Sequence, residues 1–245
     1  MATRLVHLAI DTPDPAGLAR FWSAALDWPV AEADPDEVVI WPAGYQYPDP
    51  VALPLVFLRV PEPKTAKNRI HLDLPSASAD DQLAKVGRLR DLGAVPADVG
   101  QGEVPWVVLA DPQGNEFCVL EPRPVYRDTG PVAAVVADST DPVAAAGFWT
   151  QAAGWAVHSA SPQFAALRSP GEVGPYLEFL RVPEAKTVKN RVHLDLRPQA
   201  ADDQLAEVAR LTEAGAVPAD VGQRDVTWVV LADPEGGEFC VLTPL

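Results

Sequence analysis

Two short stretches carry the same pair of titratable side chains. Residues 68–74 read NRIHLDL and residues 190–196 read NRVHLDL. Alternate residues of an extended strand share a face, so His71 and Asp73 point one way while Leu72 and Leu74 point the other. His193 and Asp195 repeat the arrangement. An imidazole beside a carboxylate is either an acid/base couple, with the carboxylate orienting the ring, or a structural pair satisfying two polar groups. The two cysteines, Cys118 and Cys240, stand in a repeated EFCVL run. Such a thiol is a small buried filler or a nucleophile, which needs a nearby base and partial exposure. His7 lies on an early strand-like run, and its counterpart further along the chain is Ala134.

Other groups have weaker chemical meaning. Trp41, Tyr45 and Tyr47 have no counterparts in the later repeat, and the two tyrosines fall in a Pro-containing loop, Ala43–Leu53, that the first copy alone carries. Aromatics on a loop beside a pocket suit a flat organic ligand. Lys64, Lys67, Asn68 and Arg69 recur as Lys186, Lys189, Asn190 and Arg191. They read as a solvated connection tied to acidic surface, or as an anchor for phosphate or carboxylate.

The elements holding these residues come in duplicate. Residues 68–122 and 190–244 are identical at 39 of 55 aligned positions. Residues 5–30 match 132–157, and 55–69 match 177–191, more loosely. The chain is therefore two copies, 1–122 and 131–245, with a linker at 123–130. Each copy divides again. A strand near 4–10 precedes Asp14-Pro15, an N-cap with proline at the first helical position, and Leu18, Phe21, Trp22 and Leu26 follow at helical spacing. Strand-like runs come next near 29–33, 37–42 and 54–60. The second half begins with a strand at 69–74 and a helix over 79–92, with Leu83, Val86, Leu89 and Leu92 inward and Gly93 as its stop. Strands near 95–99, 104–110 and 115–121 complete it, the last two joined by the turn DPQGN. The pattern is four β-α-β-β-β units, an α+β fold. Trp22, Trp28, Trp149 and Trp155 recur and read as core.

Composition narrows the function. The chain has 19 Lys+Arg against 34 Asp+Glu, a formal net charge of −15, which repels nucleic-acid backbones. No apolar run reaches the ~18 residues needed to span a bilayer, and the N-terminus turns polar too early for a signal peptide. With two cysteines and no CxxC spacing, a disulfide scaffold or zinc finger is excluded. A soluble, cytoplasmic protein with no membrane partner is the expectation.

Four such units, the HLDL strand before a helix, and the closing DPxGNEFCVL hairpin resemble the vicinal oxygen chelate superfamily, in the tandem form of its glyoxalase/bleomycin-resistance group. The resemblance covers nearly the whole chain. It implies two tandem glyoxalase-like domains whose mixed sheets curl into open cups, with helices outside and a small-molecule ligand within. The chain would act as a fused pseudo-dimer, monomeric or as a homodimer. Carrying the family's ligand positions across brings His7, Val56, His71 and Cys118 from the first copy, and Ala134, Glu178, His193 and Cys240 from the second. If units pair within a copy, the cups hold His7/His71/Cys118 and Glu178/His193/Cys240. If they pair between copies, the cups hold His7/His193/Cys240 and His71/Cys118/Glu178. His7, His71, His193 and Glu178 would then be ligands for a divalent metal (Zn, Fe, Ni or Mn). Cysteine stands where the family's metal enzymes place a carboxylate, and Val56 and Ala134 remove one donor from each cup. No cofactor is required on this reading. The expected function is small-molecule binding, such as sequestration of an antibiotic or another aromatic or hydrophobic metabolite, with His7, Trp41, Tyr45, Tyr47, Cys118 and Cys240 at the ligand. The alternatives are a metal-dependent lyase or dioxygenase, and metal-free acid/base catalysis by His71/Asp73 or His193/Asp195.

Overall fold

The structure, a computed structural model, describes residues 3–244. The first unit runs β1 (Arg4–Thr12), α1 (Pro15–Leu26), β2 (Val30–Ala33), β3 (Glu37–Ile40) and β4 (Leu55–Arg59). The second is β5 (Ile70–Leu74), α2 (Ala79–Asp91), β6 (Val95–Pro96), β7 (Val107–Ala110) and β8 (Glu116–Val119). The second copy repeats the plan. Its first unit has β9 (Ala134–Ser139), α3 (Pro142–Ala153), β10 (Ala156–Ser161), β11 (Phe164–Arg168) and β12 (Tyr176–Arg181). Its second has β13 (Val192–Arg197), α4 (Gln204–Glu213), β14 (Val217–Pro218), β15 (Val229–Ala232) and β16 (Glu238–Val241). Among the described residues no helix is long and apolar enough to cross a membrane.

Local chemistry explains the helix boundaries. The Asp14 carboxylate accepts the Gly17 amide at 2.9 Å, and Pro15 occupies the first turn, where its missing N–H costs nothing. Asp141 and Pro142 do the same for α3. At the other end of α2, Gly93 turns the chain with φ of +113°, a conformation that side chains rarely adopt. One face of α1 buries Leu18, Phe21, Trp22 and Leu26. The α2 face is narrower than its sequence pattern suggests. Leu89 is buried, but Leu83 is 70% exposed and Leu92 also reaches solvent. A polar anchor takes over, with Gln82 Nε2 donating to the carbonyls of Pro105 and Val119, both at 3.0 Å.

The units pair between copies. One sheet has the order β14-β15-β16-β13-β1-β4-β3-β2 and the other β10-β11-β12-β9-β5-β8-β7-β6. These orders are identical once the copies are exchanged. In the first sheet β1 lies antiparallel to β13, and in the second β5 lies antiparallel to β9. Each eight-stranded sheet is thus a joint product of both copies, the architecture of a fused pseudo-dimer. A continuous hydrophobic core draws on all four units, from Leu8 and Trp22 through Leu72 and Phe117 to Trp149 and Phe239. Helix α1 of one sheet packs on a strand of the other: the Trp22 and Phe117 ring centroids are 5.0 Å apart. Trp149 and Phe239 repeat the contact at 5.4 Å.

A bulge adjusts the expected strand alternation. The β1/β13 register shifts between Leu5 and His7, so Leu5 and Leu8 both face the helices and His7 remains on the opposite face.

Candidate functional site

The floor of the first cup is set by strand register. His7 lies opposite Asp195, Ala9 opposite His193, and Asp195 beside Cys240. Three side chains of the repeated motifs and one unrepeated histidine therefore converge. His7 Nδ1 is 3.5 Å from Asp195 Oδ2, and His193 Nε2 is 3.5 Å from Asp195 Oδ1. Asp195 Oδ1 is buried with no hydrogen-bond partner. Burial and then the Asp195 carboxylate push the Cys240 thiol well above its ordinary range, so it is a protonated thiol rather than a thiolate nucleophile.

Above this floor is a cavity of about 570 Å³, in the range that holds small organic ligands. Val56, Trp228, Val230 and Leu242 supply apolar wall, and Glu37 stands among them. Burial pushes the Glu37 carboxyl up, with His7 opposing and Glu32 assisting. Arg197 also lines the cavity, and its Nη1 donates to the Thr243 carbonyl at 2.9 Å, while two further cations at the rim pair with acids. Arg59 Nε is 2.9 Å from Asp36 Oδ1, and Lys189 pairs with Asp11.

The second cup has the same motif and a different interior. His71 Nε2 is 3.4 Å from Asp73 Oδ1, which is buried without a hydrogen-bond partner. Burial and Asp73 push the Cys118 thiol up. Here, however, the linker enters the cup. A 3-10 turn, Pro124–Tyr126, carries Tyr126 inward, and its hydroxyl donates to Glu178 Oε1 at 2.9 Å. The ring packs among Val108, Leu120 and Tyr176. Burial raises the Glu178 pKa to about 7, partly offset by the Tyr126 hydrogen bond.

These positions refine the sequence expectations. His7, His193, Asp195 and Cys240 come together at one open cup; His71, Asp73, Cys118 and Glu178 come together at one filled by Tyr126. The expected linker is thus part of a cup wall. The aromatic loop divides. Tyr47 lies tilted against His7, with centroids 5.4 Å apart, and Trp41 packs on the small cluster of Ala9, Val39 and Val56; both border the cavity's lining without being part of it. Tyr45 packs against the main core, its ring centroid 5.8 Å from that of Trp41. Cys118 and Cys240 are both buried and free. The basic clusters tie to acids: Lys64 Nζ reaches Glu116 at 2.7 Å and Lys186 Nζ reaches Glu238 at 2.6 Å. Sequence reasoning missed Tyr126, Glu37 and Trp228. The signal for Tyr126 was an aromatic in an otherwise polar linker, paired with a glutamate that has no counterpart in the first copy.

A sequence profile described as a glyoxalase-like domain matches residues 7–120 and again 134–242. The chain belongs to this glyoxalase-like domain family. No curated protein sequence matches it. Glyoxalase I from Zea mays has a similar structure, with a TM-score of 0.66 at 12% identity, covering 99% of this chain and 92% of that one. A putative dioxygenase from Bacillus subtilis gives 0.63 at 14% identity, covering 99% and 86%. At such identities the likeness is one of fold.

The donor chemistry admits a divalent metal. His193, Asp195 and Cys240 offer nitrogen, oxygen and sulfur atoms within 4.8 Å of one another, as do His71, Asp73 and Cys118. The unpartnered Asp195 oxygen is what a cation would satisfy, and His7 adds a second imidazole in the first cup alone. A mixed N/O/S set suits zinc or iron(II) in kind.

Proposed function

We propose that this glyoxalase-like protein binds one small organic molecule per chain, in the cup formed by β1, β4, β13 and β16. The observation that carries this reading is the cavity of about 570 Å³ in the first cup, set against the Tyr126 side chain packed among the walls of the second. The walls suit an aromatic or hydrophobic ligand, and the two histidines, Asp195 and Glu37 supply its polar contacts. Sequestration of an antibiotic or metabolite by a cytoplasmic protein is consistent with such a site. The test is a thermal-shift screen of aromatic and aliphatic compounds, followed by calorimetry on wild type and His7→Ala. A stoichiometry near one, lost or weakened in His7→Ala, is expected; two equal sites would defeat the proposal.

A second reading has its own support. The unpartnered oxygen of Asp195, beside His7, His193 and Cys240, favours a metal-dependent lyase- or dioxygenase-type activity. Those four residues would hold the ion, which when bound supplies Lewis-acid polarisation of a ligand oxygen. Elemental analysis of protein purified without a histidine tag tests it: stoichiometric metal, lost in Asp195→Ala, favours the enzyme. For metal-free acid/base chemistry, His193 and Asp195 are the couple facing open space, whereas His71 and Asp73 share their cup with Tyr126.

A further inference from the structure

Tyr126 gives the second cup an occupant for which the first has a cavity. The residue is 6% exposed and lies in a cluster with Val108, Cys118, Leu120 and Trp106. Exchanging the copies turns those four residues into Val230, Cys240, Leu242 and Trp228. All four line the cavity of the first cup. The volume that Tyr126 fills on one side is the volume that stands open on the other.

We infer that the open cup takes a phenol-type ring in the pose of Tyr126, hydroxyl inward and para substituent toward the mouth. This rests on the first cup being the binding site. The para direction follows from the linker, whose Val125 is solvent-exposed beside the buried Tyr126 ring. The polar end is set by substitutions between the copies. Glu178, which accepts the Tyr126 hydroxyl, is replaced by Val56, so the acceptor must differ. Asp195 Oδ1 is buried without a partner among the described residues, but so is Asp73 Oδ1 beside Tyr126, so the new acceptor lies among the groups that differ between the cups. His7, in place of Ala134, is such a group: it lines the cavity, and its Nδ1 faces Asp195 Oδ2 at 3.5 Å, which leaves Nε2 as the acceptor. The inward group of the ligand is therefore a hydrogen-bond donor, as a phenol hydroxyl is and an ether oxygen is not. Trp228, 38% exposed, lines the wall and supplies aromatic surface for the ring to pack on.

The probe is 4-methylphenol, the tyrosine side chain without its backbone, titrated calorimetrically into wild type and Tyr126→Ala. Wild type is expected to bind one molecule per chain and Tyr126→Ala two, because removing the side chain opens the second cup. In wild type, 4-methylanisole, of similar shape but without the donor, should bind at least about tenfold more weakly. Trp228→Ala should weaken the wild-type site several-fold and leave the added site of Tyr126→Ala unchanged. Binding to Tyr126→Ala without binding to wild type overturns the inference, as does equal affinity for the two probes. Should Tyr126→Ala not fold, the two probes on wild type decide the matter alone. Failure of the underlying reading looks different: then wild type binds nothing from the wider aromatic and aliphatic screen. If aliphatic compounds bind and 4-methylphenol does not, only the ring assignment falls.

Discussion

Burial of Glu178 makes stability depend on pH in a direction opposite to that of most carboxylates. Glu178 is buried, its pKa is raised from 4.5 to about 7, and its hydrogen-bond donor is a phenol. An acid whose folded pKa exceeds its unfolded value retains its proton in the fold after the unfolded chain has lost it. Its favourable contribution is complete below pH 4.5 and is lost as pH rises through about 7. The full loss corresponds to roughly 3 kcal/mol at 1.36 kcal/mol per unit. Urea unfolding of wild type and Glu178→Gln at pH 5, 6, 7 and 8 isolates this group, since the other carboxyls titrate alike in both proteins. Wild-type stability should fall relative to the variant across that range, and most steeply between pH 5 and 7. Tyr126→Phe provides the control. Removing the hydroxyl withdraws a hydrogen bond that favours the carboxylate, so the decline should extend to higher pH, and the variant should lose about 1–3 kcal/mol at pH 8. Parallel stability curves for wild type and Glu178→Gln would refute the reasoning.

Three further outcomes follow from particular contacts. Asp111→Ala should destabilise more than Asp233→Ala in chemical denaturation, by about 1 kcal/mol. Asp111 accepts Trp22 Nε1 at 3.1 Å and both side-chain and backbone N–H groups of Asn115, whereas Asp233 accepts Trp149 Nε1 at 3.3 Å and faces Gly237. Tyr47→Ala should weaken ligand binding while changing the melting temperature little, and Tyr45→Ala should lower the melting temperature with little effect on binding; the reverse pattern would show that the loop is misassigned. On the metal-dependent reading, zinc added to metal-free protein should raise the melting temperature of wild type but not of Asp195→Ala; no rise in wild type would count against that reading, and an equal rise in both would remove Asp195 from the ion.

Much of this was legible in the residues. Duplication, the β-α-β-β-β plan and the helix caps at Asp14 and Asp141 follow from local chemistry that tertiary structure does not alter. The inward direction of His71, Asp73, His193 and Cys240 follows from strand alternation, and His7 keeps its place despite the bulge beside it. The choice between pairing units within or between copies was not legible. The strands β1, β5, β9 and β13 carry similar apolar patterns, so the pattern alone does not select the partner. The exposure of Leu83 was also hidden, because helical spacing reports a potential apolar face and not the width of the partner beneath it. Tyr126 escaped notice since RPVYRDTG reads as a polar connection; its depth depends on a glutamate 52 residues further on.

Crossed pairing assigns the two kinds of unit different evolutionary fates. Every cup combines a second unit, the part that remains 39/55 identical between the copies, with a first unit, the part that has drifted. The conserved-in-duplicate half brings the His/Asp/Cys floor to both cups. The drifting half brings His7, Val56 and Glu37 to one, and Ala134, Glu178 and Phe164 to the other. A single gene thereby holds a constant framework and two variable walls, much as a receptor keeps its scaffold while its recognition segments diversify. New ligands are accordingly to be sought by varying the first units, with the second units left as they are.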